Sequence, residues 1–389
     1  MRRNPLTILL FILVFLAPWL QQIRAKESTY RDFKEFQVQL KDVPRDKLKD
    51  LLSAVKDESA AVRYLAVREM APHRSPDHEK ALVLALDDDV RWVRYTAAMK
   101  LGGAAKRHVD KVAPILVEAL GVKPGTFFWH GPNHTILALY KIGSPAAPHL
   151  AVAIDHPNEH LRAKGCEVLR HLAQASTQRD LFKKPLAALN DAIADNQHPA
   201  SRPMYVVVRM NIDGDVQRAV KLLREDARSK KVAVRVATFR HMEHLSAAAD
   251  QIMPLLIKAL SDDEFSVVNA AVHSLDRLNK RYNVDISAAV PAVARQVEKR
   301  KDRGSRIRLL LFLRPLGRPR HCPVEPILTA LSDKHRDVRL AAIRVLGEMG
   351  SVGEPALPAL RELVSDPDKF VREAARKAIQ SIGENPAAD

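Results

Sequence analysis

The segment His156-Pro157-Asn158-Glu159-His160 sets two histidines four residues apart, with a glutamate beside the second. On one helix face such a pair holds zinc, and the carboxylate stands next to the metal-bound water. Pro157 argues against that geometry. Proline favours the first turn of a helix, which leaves His156 in the turn before it. A second pair, His241 and His244 around Glu243, has the i, i+3 spacing of two ligands on a helix, but no third ligand stands at motif spacing. An exposed helix face accounts for it. The two cysteines, Cys166 and Cys322, are too few for a disulfide-built scaffold or for most thiolate metal sites. A nucleophilic thiol would need a positioned histidine and a third orienting group, and the sequence marks neither. No catalytic residue, metal ligand or cofactor site is assigned.

Two other features suit binding. The loop Gly121–His134 gathers Phe127, Phe128 and Trp129 in a chain where Phe, Trp and Tyr make up only 5% of residues. Exposed aromatics anchor interfaces, whereas the same rings in an irregular stretch can plug a core. Asn133-His134-Thr135 in that loop is also a glycosylation sequon. The formal excess of +16 is concentrated rather than spread. Residues 218–240 hold eight basic groups and two acids, and residues 295–320 hold ten and two. The candidate contacts for an anionic partner are Arg228, Lys230, Lys231, Lys299, Arg300, Lys301, Arg303 and Arg306. Pro291 precedes Ile307 by a longer interval than its counterparts elsewhere, so Lys299–Arg303 are expected in a lengthened turn. The alternative reading is a charged turn that is simply solvated.

The elements that carry these residues are read from a repeat. The chain has 389 residues, 47% hydrophobic and 28% charged, so it can bury a core. Ala, Leu and Val dominate over aromatics, which favours helices over an all-β fold. One pattern recurs: an acidic stretch, a short gap, then an aliphatic residue followed by Arg. It stands at Val62-Arg63, Val93-Arg94, Leu161-Arg162, Val234-Arg235, Val267-Val268, Ile307-Arg308, Val338-Arg339 and Val371-Arg372. The intervals are 31, 68, 73, 33, 40, 31 and 33 residues, so each long gap hides one degenerate copy. Behind Val338, residues Ala341, Ala342, Val345, Leu346 and Met349 form one apolar helical stripe. Pro148, Pro254, Pro326 and Pro358 precede their anchors by 12 or 13 residues and suit the first turn or a kink of an initial helix. Gly102, Gly143, Gly347 and Gly383 are expected as helix stops. Cys166 and Cys322 lie about five repeats apart. Stacked helices are roughly 8–10 Å apart, so the two thiols are expected to be free.

The stretches Asp87-Asp88-Asp89-Val90-Arg91-Trp92-Val93-Arg94 and Ser332-Asp333 through Asp337-Val338-Arg339 resemble the HEAT-repeat family, in its exported bacterial form. The resemblance covers residues 46–385. It implies an all-α fold: a right-handed α-solenoid of about ten HEAT-like helix pairs, in which the repeated Arg pairs with an Asp of a neighbouring repeat. Iron hydroxylases with HEAT-like repeats use repeated His-Glu dipeptides; this chain has one, His78-Glu79.

Met1-Arg2-Arg3-Asn4 is a basic head before an apolar run from Leu6 to Leu20, and Ala25 suits a cleavage point. Residues 1–25 read as a signal peptide, 26–45 as a charged linker or short helix, and 386–389 as a tail. An uncleaved signal anchor is the alternative, and no later segment is long and apolar enough to span a bilayer. The expectation is a non-enzymatic, periplasmic or secreted scaffold without a cofactor. Its partner would be a protein or an anionic surface: acidic protein, polysaccharide or lipid headgroup. Export and sparse aromatic interleaving disfavour nucleic acid. The alternatives are a HEAT-like lyase acting on a chromophore-bearing protein and a nucleic-acid-binding HEAT-like protein.

Overall fold

The computed structural model describes residues 36–72, 75–122, 132–313 and 324–384. Residues 1–25, the first part of the 26–45 linker, Phe127, Phe128, Trp129, Cys322 and the 386–389 tail lie outside them. Every regular element among the described residues is helical, and none is long and apolar enough to cross a membrane. The fold is an all-α solenoid of HEAT-like helix pairs.

Packing divides the chain into two compact units, Met1–Asp195 and Asn196–Asp389. The first contains four pairs: Leu51–Ala54 with Ala60–Glu69, Pro76–Leu84 with Arg91–Leu101, Val109–Ala119 with Pro132–Ile142, and the 3-10 segment Ser144–Ala153 with Glu159–Ala175. It ends in Lys183–Asp195. The second opens with Arg202–Asp213 and continues with five pairs: Val216–Asp226 with Val232–His241, Ala249–Ala259 with Phe265–Tyr282, Val290–Lys299 with Arg303–Leu313, Glu325–Leu331 with Arg336–Glu348, and Leu357–Glu362 with Lys369–Glu384. In each unit the second helices pack on one another in sequence order and form one layer. Pro132–Ile142 and Arg202–Asp213 fill the two doubled intervals. Their fourth residues are Thr135 and Tyr205, both buried, where the other copies, apart from the one with Val268, carry Arg. Degenerate repeats keep the helix and lose the charge.

Close packing follows from small residues on the shared faces. A Cβ on Gly165 would lie 2.4 Å from that of Ala153, and one on Gly347 would lie 3.0 Å from that of Ala378. Gly347 therefore does not end a helix as expected; it sits buried inside Arg336–Glu348 and lets the next helix approach. Gly383 likewise falls within the last turn of Lys369–Glu384. Gly102 does break the chain, with φ of +49°. Gly214, at +76°, is the left-handed cap of Arg202–Asp213, where a side chain would be strained. Leucines such as Leu275, Leu309 and Leu346 are fully buried between layers, each worth about 1.5–3 kcal/mol of transfer free energy.

A candidate binding edge formed by the helix turns

Five of the described turns between the two helices of a pair are built by one local device. An Asp side chain accepts the backbone N–H two residues on, which turns the chain into the second helix. Asp57 takes Ser59 N at 2.8 Å, Asp88 takes Val90 N at 2.8 Å, Asp262 takes Glu264 N at 3.0 Å, Asp333 takes His335 N at 2.7 Å, and Asp366 takes Asp368 N at 2.8 Å. Six residues after the Asp, at the fourth position of the second helix, Arg folds back. Arg94 donates to the carbonyls of Asp88 and Asp89 at 2.7 and 3.0 Å, Arg339 to Asp333 and Lys334 at 2.8 and 3.4 Å, and Arg372 to Asp366 and Pro367 at 2.8 and 3.0 Å.

The same Arg also stitches one repeat to the next. Arg63 reaches Asp88 at 2.7 Å, Arg235 grips both oxygens of Asp262 at 2.9 and 3.0 Å, and Arg339 binds Asp366 at 2.9 Å. Arg306 pairs with Asp333 in this series. The anchor of that repeat is thus Arg306, not the expected Arg308, and Ser305 stands where the aliphatic residue was expected. With the register corrected, the expected long turn disappears: Lys299 ends one helix, Arg303 begins the next, and only residues 300–302 lie between. Arg308 bonds Asn269 Oδ1 at 2.9 Å.

Burial and pairing act against each other on these carboxylates. Burial pushes Asp88 and Asp262 up, but the guanidinium and backbone donors around each outweigh it and hold both below the usual carboxylate range. Asp226, which pairs with Arg202, behaves oppositely: burial dominates and raises its carboxyl.

The histidine string belongs to this device. His156 occupies the Asp position, with its Nδ1 accepting Asn158 N–H at 3.0 Å. Arg162 donates to the carbonyls of His156 and Pro157. The helix begins at Glu159, not at Pro157, because Asn158 caps it by accepting from His160 and Leu161 N–H. His241 and His244 are not on an exposed helix face: the helix ends at His241, Glu243 is buried, and His244 is 10% exposed. Arg277 bonds Glu243 at 2.7 Å. Glu79 of the single His-Glu dipeptide is held by Arg107 at 2.6 Å and His108 at 3.1 Å. No group of three or more His, Cys, Asp or Glu suited to a metal occurs among the described residues. Cys166 is a buried free thiol, pushed up to about 12 by burial.

The structure separates the eight candidate cations into two groups. Arg300, Arg303 and Arg306 are engaged: Arg303 pairs with Asp337, Arg306 with Asp333, and Arg300 bonds the carbonyls of Asp262 and Asp263 at 3.1 and 3.4 Å. The two carbonyls are the ones a fourth-position Arg would take. That position is Val268 here, so Arg300 supplies from the following pair what its own repeat lacks. Sequence reading missed this, although the missing Arg at 268 was its signal. Arg228, Lys230, Lys231, Lys299 and Lys301 are exposed and make no side-chain ion pair or hydrogen bond with a described residue. Three lie in the turn after Val216–Asp226, Lys299 ends the helix Val290–Lys299 and Lys301 lies in the turn after it, and the acidic turn Asp262-Asp263-Glu264 stands between. Further along the same edge, Arg303, Lys334, His335, Arg336, Asp337 and Asp368 line an open groove of about 610 Å³. Arg336 bridges Asp368 at 3.1 Å there.

Residues 48–127 and 316–389 match HEAT repeats. No curated protein sequence matches the chain. Among solved structures, it is similar to importin beta crystallised in an ammonium sulfate condition, at 14% identity and a TM-score of 0.52 over 88% of this chain and 51% of that one. It is similar to Kap121p bound to Pho4p, at 10% identity and a TM-score of 0.57, with 88% of this chain and 42% of that one covered. Kap121p alone gives 10% and 0.55 over the same shares. At such identities the likeness is one of fold, and the chain spans about half or less of these proteins' length.

Proposed function

We propose that this chain is an exported, non-enzymatic HEAT-type scaffold that docks a partner protein through the turn edge of its second unit. Recognition is the whole mechanism, with no chemical step. One observation carries the reading: Arg228, Lys230, Lys231, Lys299 and Lys301 stay exposed and unengaged on turns whose other cations all serve the fold. Charge placed where it does no structural work attracts an acidic surface and orients its approach. The related fold of Kap121p was solved with a protein partner, Pho4p, which supports a protein rather than a polysaccharide or lipid headgroup. Residues 1–25 supply the address, a signal peptide removed on export or kept as an anchor.

The test is capture of partners from the exporting compartment by the wild-type chain and by a Lys230→Glu/Lys231→Glu/Lys299→Glu/Lys301→Glu variant. The expected result is loss of an acidic partner in the variant and at raised salt. Capture indifferent to both would end the reading. Mass spectrometry of the protein recovered from that compartment reads the address: a start after Ala25 supports cleavage, a start at Met1 with membrane association supports the anchor, and a cytoplasmic chain removes export.

A further inference from the structure

In the second unit the ladder Arg, or Val268 in its place, stands fourth in each paired second helix, so these helices share one register. The ninth residues are therefore level with one another on helices that pack side by side. In the second unit these are Arg240, His273, Leu311, Arg344 and Lys377. All five are exposed, Leu311 to 47%, and none makes a side-chain hydrogen bond or ion pair with a described residue. An exposed leucine sits in the middle of a line of cationic or titratable groups.

We propose that this line binds an extended acidic segment of a partner protein, with an apolar side chain at the segment's centre. Successive helices are roughly 8–10 Å apart. An extended chain advances about 3.3 Å per residue. Each step of the row thus matches about three residues, and the four steps from Arg240 to Lys377 match about twelve. Acidic side chains would meet Arg240, Arg344 and Lys377, and the apolar one would cover Leu311. The row is one side chain wide. On one side the fifth residues Val236, Asn269, Ile307 and Leu340 are uncharged and Glu373 is acidic; on the other, Asp276 is paired with Lys280 and Arg277 with Glu243, and Glu348 stands one turn beyond Arg344. A broad anionic surface such as a bilayer would meet those acids as well; a single strand need not. The inference rests on the scaffold reading but uses a face other than the turn edge.

The experiment titrates the full chain with a labelled thirteen-residue peptide in which glutamates flank one central leucine, against an all-glutamate peptide and phosphatidylserine vesicles. The leucine peptide is expected to bind best, and Arg240→Glu/Arg344→Glu/Lys377→Glu to weaken it roughly tenfold or more at low salt, since reversal turns several modest exposed contacts into repulsions. Leu311→Asp is expected to erase the preference over the all-glutamate peptide. Should the triple variant melt lower than wild type, Arg344→Gln alone gives the reading. The proposal is overturned if no peptide binds at low salt, if vesicles compete for the row as well as the peptide does, or if only the turn-edge variant releases the peptide. That last outcome leaves the scaffold reading standing, whereas indifference of both variants removes both.

Discussion

The two units obey the same turn grammar and differ in what they leave exposed. In the first unit, the ninth residues of the second helices are Arg68, Met99, Tyr140 and Glu167, all half-buried. Arg68 pairs with Glu69 at 3.0 Å, and Tyr140 stacks on His171 with centroids 4.0 Å apart. In the five paired second helices of the second unit the same positions are exposed and, for the most part, cationic, whereas Met210, ninth in Arg202–Asp213, is buried. The difference shows which positions the scaffold constrains. Turn Asp and fourth-position Arg recur in both units because each satisfies backbone groups that would otherwise be left unpaired at a helix end. The ninth position satisfies nothing internal. It is free to differ, and it does.

The strongest test of the division into units is in the core. Trp92 is a fully buried side chain of the first unit. Trp92→Ala is expected to cost about 3–5 kcal/mol, with proteolytic cleavage concentrated in 36–195 while 196–384 stays protected. Equal loss of protection in both halves would break the comparison. Next in size is the ladder. Arg235→Ala removes a bidentate pair and a carbonyl contact, and is expected to lose about 2–3 kcal/mol in chemical denaturation. Arg300→Ala removes two carbonyl bonds and a packing contact with Phe265, at an expected cost of about 1–2 kcal/mol. If Arg300→Ala is silent, the borrowed-Arg account of the degenerate repeat is wrong.

Acid should act on both units alike. Asp88 and Asp262 have carboxyls held below their ordinary value, so each adds stability above the unfolded pKa of about 3.9, and that stability is lost as pH falls through the lower folded value. Denaturation midpoints followed from pH 6 to 2 should therefore fall in the acid range, and Asp262→Asn should flatten the slope. Asp226 works in the opposite direction, since its raised carboxyl is more easily protonated in the folded chain. The smallest expected effect on stability is at the surface. Lys230→Glu and Lys301→Glu should each stay within about 0.5 kcal/mol of wild type in a thermal melt, whatever they do to binding.

Much of the fold was legible because its signals are local. The periodic apolar stripe, the acidic turn and the Val-Arg step all lie within one repeat, and the doubled intervals correctly located the helices Pro132–Ile142 and Arg202–Asp213. The errors have a common origin. Ile307-Arg308 was the better pattern match, but Arg306 holds the ladder position, since the register follows contact with Asp333 in the next repeat. Gly347 looked like a stop because glycine usually is one; its role depends on Ala378, a residue on another helix. Pro157 looked like the helix start, but the helix begins at Glu159 because Asn158 caps it.

The sequence alone determined that this chain is helical, repetitive and basic in two stretches, since propensity, periodicity and charge are properties of neighbouring residues. Only the tertiary structure decided which arginines serve the fold and which lysines remain free. That depends on where a long side chain ends once the helices have stacked, and it placed Arg300 on a turn nearly forty residues away. The row from Arg240 to Lys377 is likewise a product of packing. Residues spread along the chain become a line only when five helices share one register.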